Sequence, residues 1–195
     1  MLSQTLSFIS QDFVPPGYSV IDAPRSDGCH VGCLAIVYRV HLKVVRVSLK
    51  ITPSAFEMLV VRIIIGAERF FLANIYRPPG GDVVTFVDEL SDLDETLTTL
   101  GGHLIYLGDF NTPGKAPSEI DERSATWLSC YNFLAVNEGP THLHSNGSEG
   151  RLNLIIESEK TRHLSSVRTI PVGYSDHRLE KVTFDCARPI APRVT

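Results

Sequence analysis

The stretch that decides the fold reads Leu104-Ile105-Tyr106-Leu107-Gly108-Asp109-Phe110-Asn111-Thr112-Pro113. Four mostly apolar residues, Leu104 to Leu107, predict a short buried strand, which Gly108 is expected to break. On an extended chain Asp109 and Asn111 point the same way, because one residue separates them. Open α/β sheets place their ligand sites at such strand ends. The stretch therefore predicts a polar site, although Asp and Asn are equally typical of ordinary turns.

The segments before this stretch predict strands followed by one long helix. Val44 to Ile51 alternates apolar and polar residues, and Phe56 to Ile65 and Phe70 to Tyr76 are rich in β-branched or aromatic residues. With Cys33 to Tyr38 they predict an antiparallel meander of three or four strands. Asp82 is a suitable N-cap for a helix that runs to about Leu100. Apolar residues recur along this helix every three or four positions, at Val83, Phe86, Val87, Leu90, Leu93, Leu97 and Leu100.

The other face of this helix carries a run of acidic residues, predicted to be solvated surface: Asp88, Glu89, Asp92, Asp94 and Glu95. After Pro113 the pattern predicts a second helix from about Ser118 to Phe133 and a short edge strand. Further strands are predicted at Leu152 to Glu157, Leu164 to Ile170 and Arg178 to Phe184, and Thr141 to Arg151 is predicted to be a loop.

Composition indicates one globular domain of an intracellular protein. The chain has 195 residues, of which 43% are hydrophobic and 21% charged, the proportions of a folded domain. We expect a domain over residues 13–185, with flexible ends at 1–12 and 186–195. The net charge of −4 provides no overall basic field for non-specific nucleic-acid binding. No apolar run is long enough to span a membrane and no secretory signal is evident, so nucleus or cytoplasm is the expected location.

The cysteines predict thiols more strongly than a metal site. Cys29 and Cys33 are close together in sequence, but no second pair of ligands follows at the spacing of a zinc finger. His142 and His144 could be proposed as partners, but they lie more than one hundred residues away. Idle thiols in a reducing compartment are the preferred interpretation.

Four short polar segments each lie at the end of an apolar run or within one: Tyr76 with Arg77, Asp109 with Asn111, Asn153 within Leu152-Asn153-Leu154-Ile155, and Ser175-Asp176-His177. A polar residue inside a strand such as Leu-Asn-Leu-Ile is unfavourable unless it faces a polar site. An acid beside an imidazole is a combination that serves general acid–base chemistry. Ser-Asp-His alone is most often a turn, whereas its occurrence with Gly-Asp-Phe-Asn indicates a catalytic site.

These motifs follow one another in the order found in the endonuclease/exonuclease/phosphatase superfamily: Asn74-Ile75-Tyr76-Arg77-Pro78-Pro79, Leu107-Gly108-Asp109-Phe110-Asn111, Pro140-Thr141-His142, Gly150-Arg151-Leu152-Asn153-Leu154-Ile155 and Tyr174-Ser175-Asp176-His177. Their wording most resembles the apurinic-endonuclease-like domain of LINE-type, non-LTR retrotransposons. The resemblance covers roughly residues 13 to 185. It implies a four-layer α/β sandwich, in which helices flank two mainly antiparallel sheets.

The resemblance also implies an in-line attack of water on a phosphodiester of DNA. In it His177 would be the general base or charge partner, and Asp109 would align or deprotonate the water. Asn111 and Tyr76 would contact the phosphate, with Asn153 as a further catalytic position. Asp176 and Asp109 would bind Mg²⁺, or alternatively Mn²⁺. Substrate contacts would come from Arg77, Asn111, Thr141 and Ser175.

Two departures from the family pattern bear on activity. The family has an acidic residue where this chain has Asn153, and an amide cannot stabilise an imidazolium as a carboxylate does. The family's main metal-binding glutamate, expected before Asp12, has no counterpart, since Met1 to Gln11 contains no acidic residue. Glu57 and Glu68 lie in other strands. The resemblance therefore implies a domain that lacks its N-terminal strands.

Three functions follow from these observations. The first is a metal-dependent DNA-nicking endonuclease, as part of a larger polyprotein with reverse transcriptase. The second is a relative that acts on RNA or on a small phosphorylated substrate. The third is a catalytically weak or dead remnant that serves as a binding module, which the two departures favour for turnover.

Overall fold

The computed structural model describes residues 14–24, 33–158 and 164–185. It contains two helices and twelve strands in these ranges. The helices are α1 (Val83–Thr99) and α2 (Glu122–Cys130). The strands are β1 (Tyr18–Pro24), β2 (Cys33–Arg39), β3 (Lys43–Arg46), β4 (Glu57–Ile65), β5 (Glu68–Tyr76), β6 (His103–Asp109), β7 (Phe133–Ala135), β8 (His142–Leu143), β9 (Glu149–Gly150), β10 (Asn153–Ser158), β11 (Leu164–Ile170) and β12 (Leu179–Phe184).

A mixed sheet of six strands forms the centre, in the order β3-β4-β5-β6-β10-β7. The pairs β3–β4 and β4–β5 are antiparallel, which confirms the predicted meander for these strands. Strand β2 does not join it, because it pairs with β1 over seven residues. Helix α1 connects β5 to β6, which run parallel, as a crossover between parallel strands requires. Two further two-stranded sheets are β11–β12 and β8–β9.

Helix α1 matches its prediction closely. The Asp82 carboxylate accepts hydrogen bonds from the backbone N–H groups of Val84 (3.3 Å) and Thr85 (2.9 Å) and so caps the N-terminus. The helix ends at Thr99 with Leu100 as its C-cap, after which Gly101 takes a left-handed φ of 62°. Its buried apolar residues are Phe86, Leu90, Leu93 and Leu97. They pack on the same side of the sheet as Phe71, Ala73, Ile75, Tyr106, Leu154 and Ile156.

The acidic face of α1 is not uniformly solvated, so that prediction was partly wrong. Asp94 is only 6% exposed, and Tyr106 donates a 2.6 Å hydrogen bond to its carboxylate. Glu89 accepts hydrogen bonds from the backbone N–H groups of Ser54 and Ala55. These two carboxylates tie the helix to the sheet and to the preceding loop.

The opposite face of the sheet is also buried. Leu59, Val61, Phe70, Ile105 and Ile155 alternate with the helix-facing residues of their strands and are at most 5% exposed. The β1–β2 ribbon lies against it, where the Asn74 amide donates to the Ala35 carbonyl over 3.5 Å. Phe184 of β12 contacts the ring of Phe70. The α/β sandwich is thus confirmed, with two-stranded ribbons supplying the second β layer in the described residues.

Gly108 does not break β6, contrary to the prediction. It lies within the strand, paired with Ile75 of β5. Its φ is +132°, and a Cβ placed there would lie 2.0 Å from the Ile75 carbonyl oxygen. Only glycine permits this approach, so the residue is required by the contact between two strands.

Two other boundaries differ from prediction. Helix α2 begins at Glu122 rather than near Ser118, because Asp121 caps it and Gly114 bonds back to the Glu119 carbonyl. It ends at Cys130, and Asn132 then adopts a left-handed φ of 54°. Strand β3 ends at Arg46, although the Val47 N–H still donates to the Val60 carbonyl of β4 over 2.9 Å. Beyond the strand, Val47, Leu49 and Ile51 pack against the core. The alternation in this segment reflected burial rather than strand pairing.

Some predictions concern residues that the structure does not describe. The expected flexible ends, 1–12 and 186–195, lie outside the described ranges. So does the segment before Asp12, where the family's main metal-binding glutamate was expected. The side chains of Cys29 and Cys33 are likewise outside what the structure describes. In the described ranges no helix has both the length and the apolar character needed to cross a membrane.

Candidate active site

Three of the expected site residues form one row across adjacent strands. Tyr76 pairs with Asp109, and Asp109 pairs with Asn153. Residues directly opposite each other project from the same face of a sheet. This face is the one away from the helices, since Ile75, Gly108 and Leu154 occupy the alternate positions. The structure therefore brings together, at one edge, side chains that are far apart in sequence.

Glu57 occupies the next place in this row. It pairs with Tyr76 across β4 and β5, and its side chain is half-buried. From the sequence Glu57 was placed in a strand remote from the expected metal ligand. The register shows that it lies on the site face, at the outer end of the row.

Asn111 holds the carboxylate of Asp109. Its amide nitrogen donates to Asp109 Oδ2 over 3.1 Å and to the Arg77 carbonyl over 2.8 Å, and its backbone N–H donates to Asp109 Oδ1 over 3.2 Å. The chain is not extended here, because Asn111 has a left-handed φ of 47°. Both amide hydrogens are thus engaged within the protein. Asn111 therefore orients Asp109, and its expected contact with a phosphate oxygen stays a prediction.

Arg77, for which a substrate contact was expected, is buried beneath the site. It is 2% exposed. Its guanidinium donates to the carbonyl oxygens of Asn111 (2.6 Å) and Gly81 and lies 5.3 Å from the ring centre of Phe86. Arg77 therefore joins the end of β5, the start of α1 and the turn after β6.

His177 is attached to the row through Asn153. Its Nδ1 lies 3.0 Å from Asn153 Oδ1. Because an amide oxygen only accepts hydrogen bonds, Nδ1 carries the hydrogen and Nε2 keeps its lone pair. The amide thus selects the tautomer that a general base requires, although it brings no charge to stabilise the imidazolium.

Asn153 is itself fixed by two buried residues. The Thr141 hydroxyl accepts hydrogen bonds from the backbone N–H groups of Leu152 (3.0 Å) and Asn153 (2.9 Å). The Asn137 amide donates to the Asn153 carbonyl over 2.9 Å. Thr141, for which a substrate contact was expected, is fully buried and positions the start of β10.

The loop that contains His177 is joined to the β8–β9 ribbon. His142 and His177 form an isolated antiparallel bridge, and His142 Nε2 lies 3.3 Å from Asp176 Oδ2. The rings of His142 and His177 are 4.6 Å apart between centres. Ser175 is exposed, and its hydroxyl accepts a hydrogen bond from the His177 backbone over 3.1 Å.

The two aspartates of the site differ in their electrostatics. Burial raises the pKa of Asp109, and this rise is partly opposed by His177 and by the hydrogen bonds from Asn111. The pKa of Asp176 is lowered, chiefly by its own backbone N–H and further by His142. Asp109 is therefore the better proton acceptor, whereas the exposed Asp176 remains ionised.

Carboxylates and imidazoles supply the candidate metal donors. Mg²⁺ in phosphoryl-transfer sites is held by one or two carboxylates together with substrate phosphates. Asp109 and Asp176 are the candidate carboxylates here. Among the described residues one group of three potential ligands comes together, namely His142, Asp176 and His177, whose donor atoms lie within 4.8 Å of one another. Asp109 is not part of this group.

Sequence reasoning missed two residues of this region. His142 appeared in the Pro140-Thr141-His142 motif, but its place in the site became evident only from the structure. There its backbone forms a bridge with His177 and its side chain contacts Asp176. Asn137 is fully buried, and besides holding Asn153 it accepts a 2.9 Å hydrogen bond from the Ile155 N–H. A polar residue just after the apolar strand β7 was the signal that could have identified it.

No protein-family model matches the sequence, and no curated protein matches it significantly. Several solved structures, in contrast, superpose on this chain. The endonuclease domain of TRAS1, a telomere-specific non-LTR retrotransposon, superposes with a TM-score of 0.69 and 19% identity, over 88% of this chain and 82% of the other. The Neisseria 3′ phosphatase NExo, bound to a product DNA hairpin, superposes with a TM-score of 0.64 and 21% identity, over 92% of this chain and 86% of the other.

An endonuclease/exonuclease/phosphatase family protein from Leptotrichia buccalis gives a TM-score of 0.62 at 14% identity, over 90% of this chain and 75% of the other. Identities this low establish a shared fold. The described sheet and its flanking helices agree with that result. The chain has the fold of the endonuclease/exonuclease/phosphatase superfamily.

Proposed function

We propose that this protein is a metal-dependent phosphodiesterase that nicks DNA, of the retrotransposon endonuclease type. The observation that carries the proposal is the row of Tyr76, Asp109 and Asn153, with His177 attached to Asn153 over 3.0 Å. Tyrosine, aspartate and an oriented histidine at one sheet edge suit the hydrolysis of a phosphodiester. TRAS1 and NExo, which share the fold, act on DNA according to their descriptions.

The roles of the side chains follow from their surroundings. Asp109 accepts the proton of the attacking water or aligns it, which its raised pKa favours. His177 presents Nε2 as a second base or, once protonated, as a positive charge beside the phosphate. The Tyr76 hydroxyl contacts a phosphate oxygen, and Ser175 lies at the exposed rim. Asn111, Arg77 and Thr141 act as positioning residues, because their polar groups are engaged within the protein.

A divalent cation, Mg²⁺ or Mn²⁺, would be held through the Asp176 and Asp109 carboxylates and the phosphate. It would supply neutralisation of the charge that develops on the phosphate oxygens. Asp176 suits this task because it is ionised and 66% exposed. Glu57 provides a further carboxylate on the same face of the sheet.

A plasmid-nicking assay tests the proposal. The folded chain with Mg²⁺ is expected to convert supercoiled DNA to the open circle. Asp109→Ala and His177→Ala should each lower the rate by about 10²- to 10⁴-fold, the usual contribution of a general acid or base. Asp88→Ala and His41→Ala, which change exposed residues away from the site, serve as matched controls. No nicking by folded protein, or nicking that survives both site variants, would refute the proposal.

Binding of DNA without turnover is the second candidate function. The observation that favours it is Asn153 in place of a carboxylate, because the imidazolium of His177 then lacks its charged partner. This candidate predicts retention of a DNA duplex by the folded chain with no cleavage. Cleavage of RNA or of an inositol phosphate, but not of DNA, would instead indicate an enzyme of the same fold that acts on RNA or on a small phosphorylated substrate.

A further inference from the structure

The group of His142, Asp176 and His177 combines two nitrogen donors with one oxygen donor. His142 Nε2 lies 3.3 Å from Asp176 Oδ2, and all three donor atoms lie within 4.8 Å of one another. Ligands about 2.0–2.1 Å from a tetrahedral zinc ion are roughly 3.3 Å apart. The donors thus need only small side-chain rotations to converge, and the exposed carboxylate of Asp176 is free to turn.

The nature of the donors discriminates between metals. Magnesium prefers a shell of oxygen atoms, whereas imidazole suits zinc and other late transition ions. Two histidines and one carboxylate, with a fourth position open to water, form the donor set of many catalytic zinc centres. The chemistry of this group therefore differs from that of the magnesium site proposed above.

The surroundings of His177 favour metal binding. Imidazoles that bind metals usually donate their other N–H to an oxygen that fixes the ring. Asn153 Oδ1 supplies this oxygen at 3.0 Å from Nδ1 and leaves Nε2 as the available donor. The partner is neutral, so it orients the ring without adding charge to the site.

His142 differs from His177, because its other ring nitrogen has no such oxygen partner in the described part of the chain. Its side chain is 13% exposed, and its Nδ1 is buried with no hydrogen-bond partner among the described residues. A change of tautomer that frees Nε2 for a metal therefore breaks no bond at Nδ1. The contact with Asp176 is then replaced by a shared metal.

Backbone contacts hold the two loops together without help from a metal. The Leu143 N–H donates to the Asp176 carbonyl over 2.9 Å, and the Arg178 N–H donates to the Thr141 carbonyl over 2.8 Å. The Arg178 guanidinium also binds the Pro140 carbonyl and the Glu149 carboxylate. The three donors are thus preorganised, which reduces the cost of collecting them around an ion.

We infer that His142, Asp176 and His177 form a binding site for zinc or a similar late transition ion. Occupation would engage Nε2 of His177 and the carboxylate of Asp176. Zinc would therefore inhibit the magnesium-dependent cleavage, a consequence that rests on the proposed function, whereas the binding itself does not.

Titration of the full, metal-free chain with zinc, against a chelating dye and without DNA, tests the site. One ion per chain is expected. His142→Gln and Asp176→Asn should each lower the affinity by more than the roughly 10- to 100-fold that changes around a metal's ligands cause. His144→Gln is the matched control, because its ring contacts His142 at 4.5 Å but lies outside the group. Addition of Co²⁺ should produce the visible absorption of a tetrahedral complex.

Unchanged affinity in both His142→Gln and Asp176→Asn would overturn the inference, and so would an equal loss in His144→Gln. Asp176→Asn keeps the test decisive if the buried His142 variant fails to fold, as a thermal melt would show. Zinc binding by a protein that never nicks DNA would refute the proposed function and leave the site. Nicking by a protein that does not bind zinc would refute the site alone.

Discussion

The two faces of the six-stranded sheet serve different purposes. The helix-covered face packs apolar side chains against the helices and carries aromatic contacts such as Phe86 with Phe110 and Tyr106 with Trp127. The other face buries Phe70 and Ile105 towards one end, with the buried Glu157 opposite Ile105, and carries the polar site row at the other end. Because strand side chains alternate, one strand contributes to both faces. Packing and chemistry are thus separated within the same sheet.

Each face carries a carboxylate whose pKa is raised by desolvation, at the buried Asp94 and the half-buried Asp109. On the helix side, Asp94 is sealed in and bonded to the Tyr106 hydroxyl. On the site side, Asp109 is held by Asn111 and lies within the electrostatic influence of two histidines. The same physical cause therefore anchors a helix in one place and prepares a proton acceptor in the other.

The largest effect is expected from Asn153→Asp, which alters only the site face. In Ser-His-Asp triads, the reverse change of the acid to its amide lowers the rate by about 10⁴-fold, because the histidine takes the wrong tautomer. Asn153 already selects the tautomer with Nε2 available. A carboxylate at this position should therefore raise the nicking rate by less than that, about 10²-fold, through its charge beside the His177 imidazolium. Initial rates on supercoiled plasmid with saturating Mg²⁺ measure it.

Asn146→Asp makes the same chemical change in the exposed turn between β8 and β9, and it should leave the rate within about twofold, as surface changes usually do. A rate in Asn153→Asp no higher than in the parent chain, with an unaltered melting temperature, would show that the charge of this partner does not limit turnover.

Leu93→Ala should disturb the helix face alone. Leu93 is fully buried on α1, and removal of such a side chain costs about 2–5 kcal/mol of the free energy of unfolding. Urea unfolding measures this loss, and the nicking rate per folded molecule should not change. Leu100→Ala, at the exposed end of the same helix, should cost less than about 1 kcal/mol. A fall in the rate per folded molecule would show that the faces are coupled.

Asp94→Asn should change the pH dependence of stability. The folded chain keeps the Asp94 proton to higher pH than the unfolded chain, since burial raises this pKa above its ordinary value of 3.8. The free energy of unfolding that this group contributes is therefore greatest below 3.8 and falls as pH rises through the folded pKa. The side-chain amide that Asp94→Asn introduces cannot ionise, although its oxygen can still accept a hydrogen bond from the Tyr106 hydroxyl.

Unfolding free energies measured from acid to neutral pH should show the variant gaining on the parent chain as pH rises above 3.8. Asp92→Asn, on the exposed side of α1, provides the comparison. A constant difference between variant and parent across this range would contradict the burial of an ionisable group at this position.

Local patterns in the sequence predicted much of the fold. Helix α1 was predicted with its cap at Asp82, because capping and apolar spacing are local properties. The antiparallel pairing of β3, β4 and β5 followed from short connections. Strand order was beyond such reasoning, since the position of β10 between β6 and β7 depends on contacts between distant segments. The burial of Asp94 was missed for the same reason, as its partner Tyr106 lies on another element.

The site shows a similar division. Motifs identified Tyr76, Asp109, Asn153 and His177 as site residues, and the structure places them at one edge. Motifs did not separate residues that face the site from those that support it. Arg77 and Thr141 have the polar chemistry of substrate contacts but are buried, because unpaired carbonyl and N–H groups nearby require partners. Their role became evident only from the hydrogen bonds that they make.

Gly108 has a consequence for how this domain tolerates mutation. It carries no functional atom, yet a methyl group there would collide with the Ile75 carbonyl at 2.0 Å. Separation of β5 from β6 would in turn displace Tyr76 from Asp109, since both follow directly after the contact. In a random library, inactive clones should therefore accumulate at this glycine as readily as at the acid beside it. A genetic screen would then assign catalytic importance to a residue whose whole contribution is the absence of a side chain.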